Sequence, residues 1–238
     1  MMPFTPDYGT PFDCSGDVIM KADLHIHSIH SPDAIARPRS ILAAAADRGI
    51  GIIAITDHDT AAGWRDFAAL AQRYPVAVVP GQEMRVYRDR EVVGELLCLF
   101  LEKPVAGRTV NEILDQVRAQ GGMVSIAHPF SERRVEFRAF DEITTWAGVA
   151  IEVLNGRSYK PRDNEMARNL ARRLGLPMTA GSDAHTPFEI GNAYVEFSGS
   201  CPDALKKALI NGDVEIKGRP SSILFSLLSG FGRLGVTV

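Results

Sequence analysis

Short apolar runs rich in β-branched residues recur along this 238-residue chain, each followed by a segment of helical character. Residues 51–56 are the plainest case. A run apolar on both faces suits a buried strand of a parallel sheet, which helices cover from both sides. Comparable runs lie at 21–27, 76–80, 95–101, 123–127, 150–154 and 178–180. Between them, 38–48 reads as an Ala-rich helix with Pro38 near its start and Gly49 past its end. Thr60 opens a helix reaching about residue 73. Thr109 and Glu112 have capping-box spacing, so a helix follows to residue 120 and stops at Gly121 and Gly122. Residues 84–101 read as an extended hairpin whose second arm is the fourth strand. A polar helical stretch is expected over 137–146 and a helix over 163–174, while 193–197 and a helix over 202–210 close the core. About seven βα units in one chain argue for an α/β fold with a parallel barrel rather than an open sheet. The length fits one such unit of roughly 200–250 residues. We read 1–238 as a single domain, with the chemistry in about 21–197 and with 198–238 as an extension packed on the barrel.

Net charge is −3. That leaves no broad basic footprint and argues against duplex nucleic acid as a partner, though a few local cations suffice for a single phosphate group. Cys14, Cys98 and Cys201 are far apart and form neither a CxxC pair nor an even disulfide framework, which points to a reducing, cytoplasmic setting. Residues 1–16 lack the basic and apolar regions of a secretory signal. The apolar segment 223–230 is far short of the roughly 20 residues that span a membrane. It reads as a core helix or a subunit contact, which leaves a homodimer open.

The six histidines carry the chemistry. His25, His27, His58, His128 and His185 fall at or just after the ends of the apolar runs, and His30 lies in the loop after the first. In a parallel barrel that face holds the active site. His25 and His27, two apart on a strand, put two imidazoles on one face, as chelation of an ion requires; a half-exposed strand face would look the same. Asp23, two residues earlier, shares that face and could orient a ligand. Thr60 and Asp59 are explained by helix capping and the helix dipole, but His58 is not. Asp183 and His185 repeat the two-residue spacing, and two such pairs by chance are much rarer than one. Neutral imidazoles with carboxylates suit Zn, Fe or Mn better than Ca or Mg. The potential ligands are too many for one ion, and a cluster of two or three bridged by Glu83 uses them.

Taken in order, Asp23-Leu24-His25-Ile26-His27-Ser28, Ile55-Thr56-Asp57-His58-Asp59-Thr60, Gly81-Gln82-Glu83, Ala127-His128-Pro129 and Gly181-Ser182-Asp183-Ala184-His185 resemble the polymerase and histidinol phosphatase (PHP) family. The resemblance implies a distorted (β/α)7 TIM-like barrel, a centre of two or three divalent metals and hydrolysis of phosphoesters. It implies one metal on His25, His27, Glu83 and Asp183, and a second on His58, His185 and Asp33, with His30 as the alternative to Asp33. A third falls to Glu83, His128 and one further ligand. The family commonly has a His there, on the strand after the Glu, where this chain has Glu95.

The expected activity is hydrolysis of a small phosphate ester, a phosphomonoester or nucleotide, by hydroxide held between two cations. Asp57, Asp183 and His185 are expected to act directly in catalysis. Arg133, Arg134, Arg157 and Lys160 leave the metal-bearing face and are candidate phosphate clamps, each with a solvated surface charge as the plain alternative. Glu152 and Asn155 could contact ligands or substrate. Two other readings stand beside this one. An amidohydrolase also begins with HxH and ends with an Asp, but often needs a bridging Lys that is not seen here. A non-catalytic scaffold is the other, although degenerate copies tend to lose ligands.

Overall fold

The computed structural model describes residues 18–131, 134–143 and 145–229. In chain order the elements are β1 (Ile19–Ile26), α1 (Pro38–Asp47), β2 (Ile52–Ile55), α2 (Trp64–Ala71), β3 (Ala77–Arg88), β4 (Glu91–Leu99), α3 (Val110–Arg118) and β5 (Met123–Ile126). A 3-10 turn (Phe140–Glu142) precedes β6 (Val149–Asn155), α4 (Pro161–Leu174), β7 (Met178–Gly181), β8 (Ala193–Ser198), α5 (Pro202–Asn211), β9 (Val214–Gly218) and α6 (Ile223–Ser229).

The strands form one nine-stranded sheet in the order β7-β6-β5-β4-β3-β2-β1-β8-β9. It curls into a nearly closed barrel. The second edge of β1 is shared: its first half pairs with β8, and its C-terminal half meets the end of β7. His27 N donates to Ala184 O (2.8 Å), and Ser182 N to the carboxylate of Asp23 (2.9 Å). Gly181 permits this approach, because a Cβ there would collide with the His25 side chain and backbone.

The expected hairpin over 84–101 forms, and its second arm, β4, departs from the parallel order of the barrel. It pairs antiparallel with both β3 and β5, because a tight turn joins β3 to β4 and leaves no room for a crossover helix. Glu95 therefore reaches the site from a strand entering the barrel, whereas Glu83 leaves on its neighbour. The expected helix over 137–146 is reduced to one 3-10 turn. Phe137 fills the space beside Gly94, where a Cβ would clash with its ring, and Arg88 binds Asp141 (2.8 Å) and Glu142 (2.7 Å), so single anchors fix this segment. Helix α2 begins at Trp64, not Thr60; Asp59 is left-handed (φ 52°), and the Thr60 hydroxyl accepts from Ala62 N in a local turn. The capping box of α3 forms as expected. Strand β9 pairs with β8, so the segment after 198 contributes to the sheet as well as packing on it.

The core has an inner and an outer layer. Ala22, Leu24, Ile52, Ala54, Ala77, Val79, Leu97 and Leu99 pack together in the inner layer. Ile26, Ile53 and Ile55 face outward against Ile41, Leu42 and Phe67 of α1 and α2. Leu24 and Ile26 thus fall on opposite faces although they are two residues apart. The register shifts between Asp23 and Ile26, and this irregularity breaks the period-two alternation. It stacks the inward-facing histidines above Leu24. It also corrects the reading that Asp23 shares their face, since Asp23 points to Ser182 and Gly191 instead.

Cys98 is a buried free thiol, whereas Cys201 is disulfide-bonded, which corrects the expectation of three unpaired cysteines; Cys14 lies outside the described residues. Among the described residues no helix is long and apolar enough to cross a membrane. In α6, Ile223 and Leu224 are exposed.

Candidate metal centre

Strands that end in buried apolar residues deliver polar side chains to one face of the barrel, where His25, His27, His58, Glu83, His128, Asp183 and His185 converge, all but His58 nearly inaccessible to solvent. Glu83 is the hub. Its carboxylate lies 3.3 Å from His25 Nε2, 3.4 Å from His27 Nε2, 2.9 Å from His58 Nδ1 and 3.1 Å from His128 Nε2. Asp183 Oδ1 is 3.4 Å from His27 Nε2 and 3.7 Å from His25 Nε2. Asp33 approaches His58 Nε2 (3.5 Å) and His185 Nε2 (3.4 Å), while His30 turns away to Asp66 (3.0 Å). The structure therefore gathers Asp33 into the cluster and leaves His30 outside it. Glu95 sits 3.6 Å from His128 Nε2.

Whether these residues suit metal ions can be judged from their unsatisfied atoms. Asp33 Oδ1, His58 Nδ1, His128 Nδ1, Asp183 Oδ1 and His185 Nε2 are buried without a hydrogen-bond partner. Buried polar atoms are ordinarily paired, and among the described residues the orphans all belong to the one cluster. The Nε2 atoms of His25 and His27 face each other at 3.0 Å. Four groupings of these side chains bring ligand atoms within 4.8 Å of one another: His27–His58–His185, His25–Glu83–His128, His25–His27–Asp183 and His58–Glu83–Glu95. The donor set fits a divalent cluster.

Partners outside the cluster orient the rings. Glu152 Oε1 lies 2.9 Å from His25 Nδ1, Ser31 Oγ 3.2 Å from His27 Nδ1, and Asp183 O 2.8 Å from His185 Nδ1. An Nδ1–H donated to each leaves the Nε2 lone pair for an ion. Ser31 is itself held, because its hydroxyl donates to Asp57 (2.7 Å). Asp57 also accepts from Ser28 N and Ser28 Oγ, both at 2.7 Å. Its carboxylate thus fixes the loop after β1. His128 (φ 26°) and Asp183 (φ 52°) occupy sparsely populated backbone conformations, each costing on the order of 1–3 kcal/mol.

The electrostatics follow from crowding buried charges. Burial works against ionising Glu83, but His25 and His58 outweigh it and hold its carboxyl well below the usual range. Burial likewise opposes charge on Asp183, yet Arg134 and His25 keep it ionised. His58 resists burial through Glu83 and Asp33 and is pushed up to about 10. Burial, with His185 and His58 nearby, drives His27 well below its ordinary value. Burial and the neighbouring Glu83 raise Glu95.

Of the cations expected to clamp phosphate, Arg134 reaches the cluster, 3.1 Å from Asp183 Oδ2, with 23% of its side chain exposed. Arg133 lies outside the described residues, and Lys160 is exposed at the start of α4. Arg157 is buried and paired with Glu189. Arg85, two residues beyond Glu83 and opposite Glu95 across the strands, was missed. It pairs with Asp59 (3.4 Å) and approaches Glu95 (3.8 Å); its spacing from Glu83 was the available signal.

The chain resembles several known proteins. It is 32% identical over 185 residues to the uncharacterized protein MJ0417 of Methanocaldococcus jannaschii, covering 75% of this chain and 71% of that one. It is 29% identical over 201 residues to Probable phosphatase YcdX of Escherichia coli, covering 71% and 80%. PsfC of Pseudomonas syringae shares the fold with a TM-score of 0.66 at 19% identity over 92% of this chain and 99% of that one. A Bifidobacterium adolescentis protein described as a "putative metal-dependent phosphoesterase" does so with a TM-score of 0.61 at 18% identity, over 82% and 96%. The model of the PHP-associated segment matches residues 161–214. The PHP domain model matches residues 23–185, from the first ligand strand to the last ligand histidine, and the chain belongs to the PHP family.

Proposed function

We propose that this protein is a phosphoric ester hydrolase acting on a small phosphomonoester or nucleotide, with two or three divalent ions (Zn, Mn or Fe) at the barrel mouth. The observation that carries the reading is Glu83, a carboxylate in reach of four imidazoles with the Arg134 guanidinium beside the same cluster. Bound divalent cations supply acidified water and offset charge on the phosphoryl group. His25, His27, Glu83 and Asp183 would hold one ion, and Asp33, His58 and His185 another. His128 and Glu95 extend the set beside Glu83 for a third. Arg134 is placed to draw in a phosphate oxygen, exchanging part of its contact with Asp183 for the substrate anion. Glu152 fixes His25, and Ser31 with Asp57 fixes His27, so the ligands need little rearrangement.

The test is phosphate release from a panel of phosphomonoesters, nucleotides and phosphodiesters by Mn-loaded protein, with amide and lactone substrates alongside and metal content assayed on the same sample. Phosphate release with two or three ions per chain is expected. Turnover of amides or lactones alone would overturn the reading in favour of an amidohydrolase.

A further inference from the structure

A second tier of buried charge lies outside the ligand cluster, at the ends of β6 and β7. Arg157 follows β6, and its guanidinium grips Glu189 through two parallel bonds, Nε to Oε1 and Nη2 to Oε2, both 2.8 Å. The side chains are 6% and 0% exposed. Glu189 Oε2 also accepts from His185 N (3.2 Å), Thr186 N (3.1 Å) and Thr186 Oγ1 (3.0 Å). On the other side, Arg157 N donates to Asn155 Oδ1 (2.8 Å), and Asn155 Nδ2 donates to Glu152 (3.0 Å). Glu152 holds both the His25 ring (2.9 Å) and His128 N (2.8 Å).

Burying an ion pair costs more than the contact returns unless the remaining polar atoms are satisfied, and an apolar pair of the same size is often as stable. Here the remaining acceptor capacity of Glu189 is spent on the backbone that presents His185. We propose that the Arg157–Glu189 pair is a positioning device: it clamps the end of β6 to the loop after β7 and sets His185, with the ion it shares with Asp33 and His58, in register with the rest of the centre. Arg157 acts on the substrate only through that histidine. The proposal rests on the metal-centre reading but not on the identity of the substrate.

The test is a Mn²⁺ titration of the metal-stripped full-length chain by calorimetry, with His185→Ala marking the binding step that belongs to His185. Glu189→Gln keeps the size but breaks the ion pair, and it should weaken that step by about 10–100-fold while leaving the other step in place. Arg157→Lys, which keeps the charge but loses the fork, should weaken the same step less. The double variant should be no worse than Glu189→Gln alone, because the two residues act as one unit. Equal weakening of every step, or no weakening, overturns the proposal. So does failure of both single variants to fold when metal-free, which would make the pair a folding element. A wild-type chain that takes up no Mn²⁺ overturns the metal centre itself, a result distinct from the others.

Discussion

The two sides of the metal cluster are built differently. Around β1 and β7, His25, His27 and His185 each have Nδ1 engaged by Glu152, Ser31 or the carbonyl of Asp183. Across the cluster, around β2, β4 and β5, His128 Nδ1 has no hydrogen-bond partner, and His58 Nδ1 faces Glu83 at 2.9 Å. Glu95, on the same side, is pushed toward its protonated form by burial and by Glu83. On the first side each ring is fixed by a partner at Nδ1, away from Glu83; on the second the rings are held chiefly through Glu83 itself, 2.9 Å from His58 Nδ1 and 3.1 Å from His128 Nε2. Ligands fixed in advance lose less freedom on binding. The ion held by His25, His27, Glu83 and Asp183, whose two rings are both fixed in advance, should therefore bind first and more tightly than the ion that His185 shares with His58 and Asp33.

The largest expected effect follows from cutting into the organised side. His25→Ala should lower kcat/KM by at least about 1,000-fold, or about 4 kcal/mol, together with the metal content. Full activity in that variant, measured by phosphate release, would remove His25 from the centre. Glu152→Gln leaves every ligand in place but loosens His25, and it should weaken metal binding on this side by about 10–100-fold; unchanged affinity in a competition titration would show the ring needs no such partner. On the other side, metal binding must displace the proton that His58 holds up to about 10. Affinity there should rise about tenfold per pH unit over the neutral range for each proton displaced. Calorimetry in buffers of different ionisation enthalpy would read that proton, and a buffer-independent heat would contradict it. The sign for the metal-free protein is opposite: a raised His58 contributes stability in full below about 6.5, which is lost as pH rises through about 10. The smallest effect belongs to Glu95→Gln, which should weaken only the last ion bound, by less than about tenfold. A loss of all ions in that variant would erase the contrast between the sides.

Much of the site could be read from the chain because it obeys local rules. Apolar strands that end in His, Asp or Glu declare a polar barrel mouth, and His25, His58, Glu83, His128 and Asp183 were placed by that reasoning alone. What escaped depends on partners distant in sequence. The irregularity between Asp23 and Ile26 exists because β1 must serve β2, β8 and the end of β7 at once. Arg157 looked available for phosphate because Glu189, 32 residues later, carried no signal of its own. Asp57 sits beside His58 in sequence, yet its donors come from the loop after β1.

The approach of Gly181 to His25 bears on how the protein comes into being. Asp23 and Ser182 are 159 residues apart, and their contact closes the ring. Contacts of such long range form late and slow the search for the native state. During synthesis the N-terminal strands emerge first, so His25, His27, His58 and Glu83 are in solution before Asp183 and His185 exist to join them. Until β7 has been made and has found β1, these side chains lack the geometry of the finished cluster.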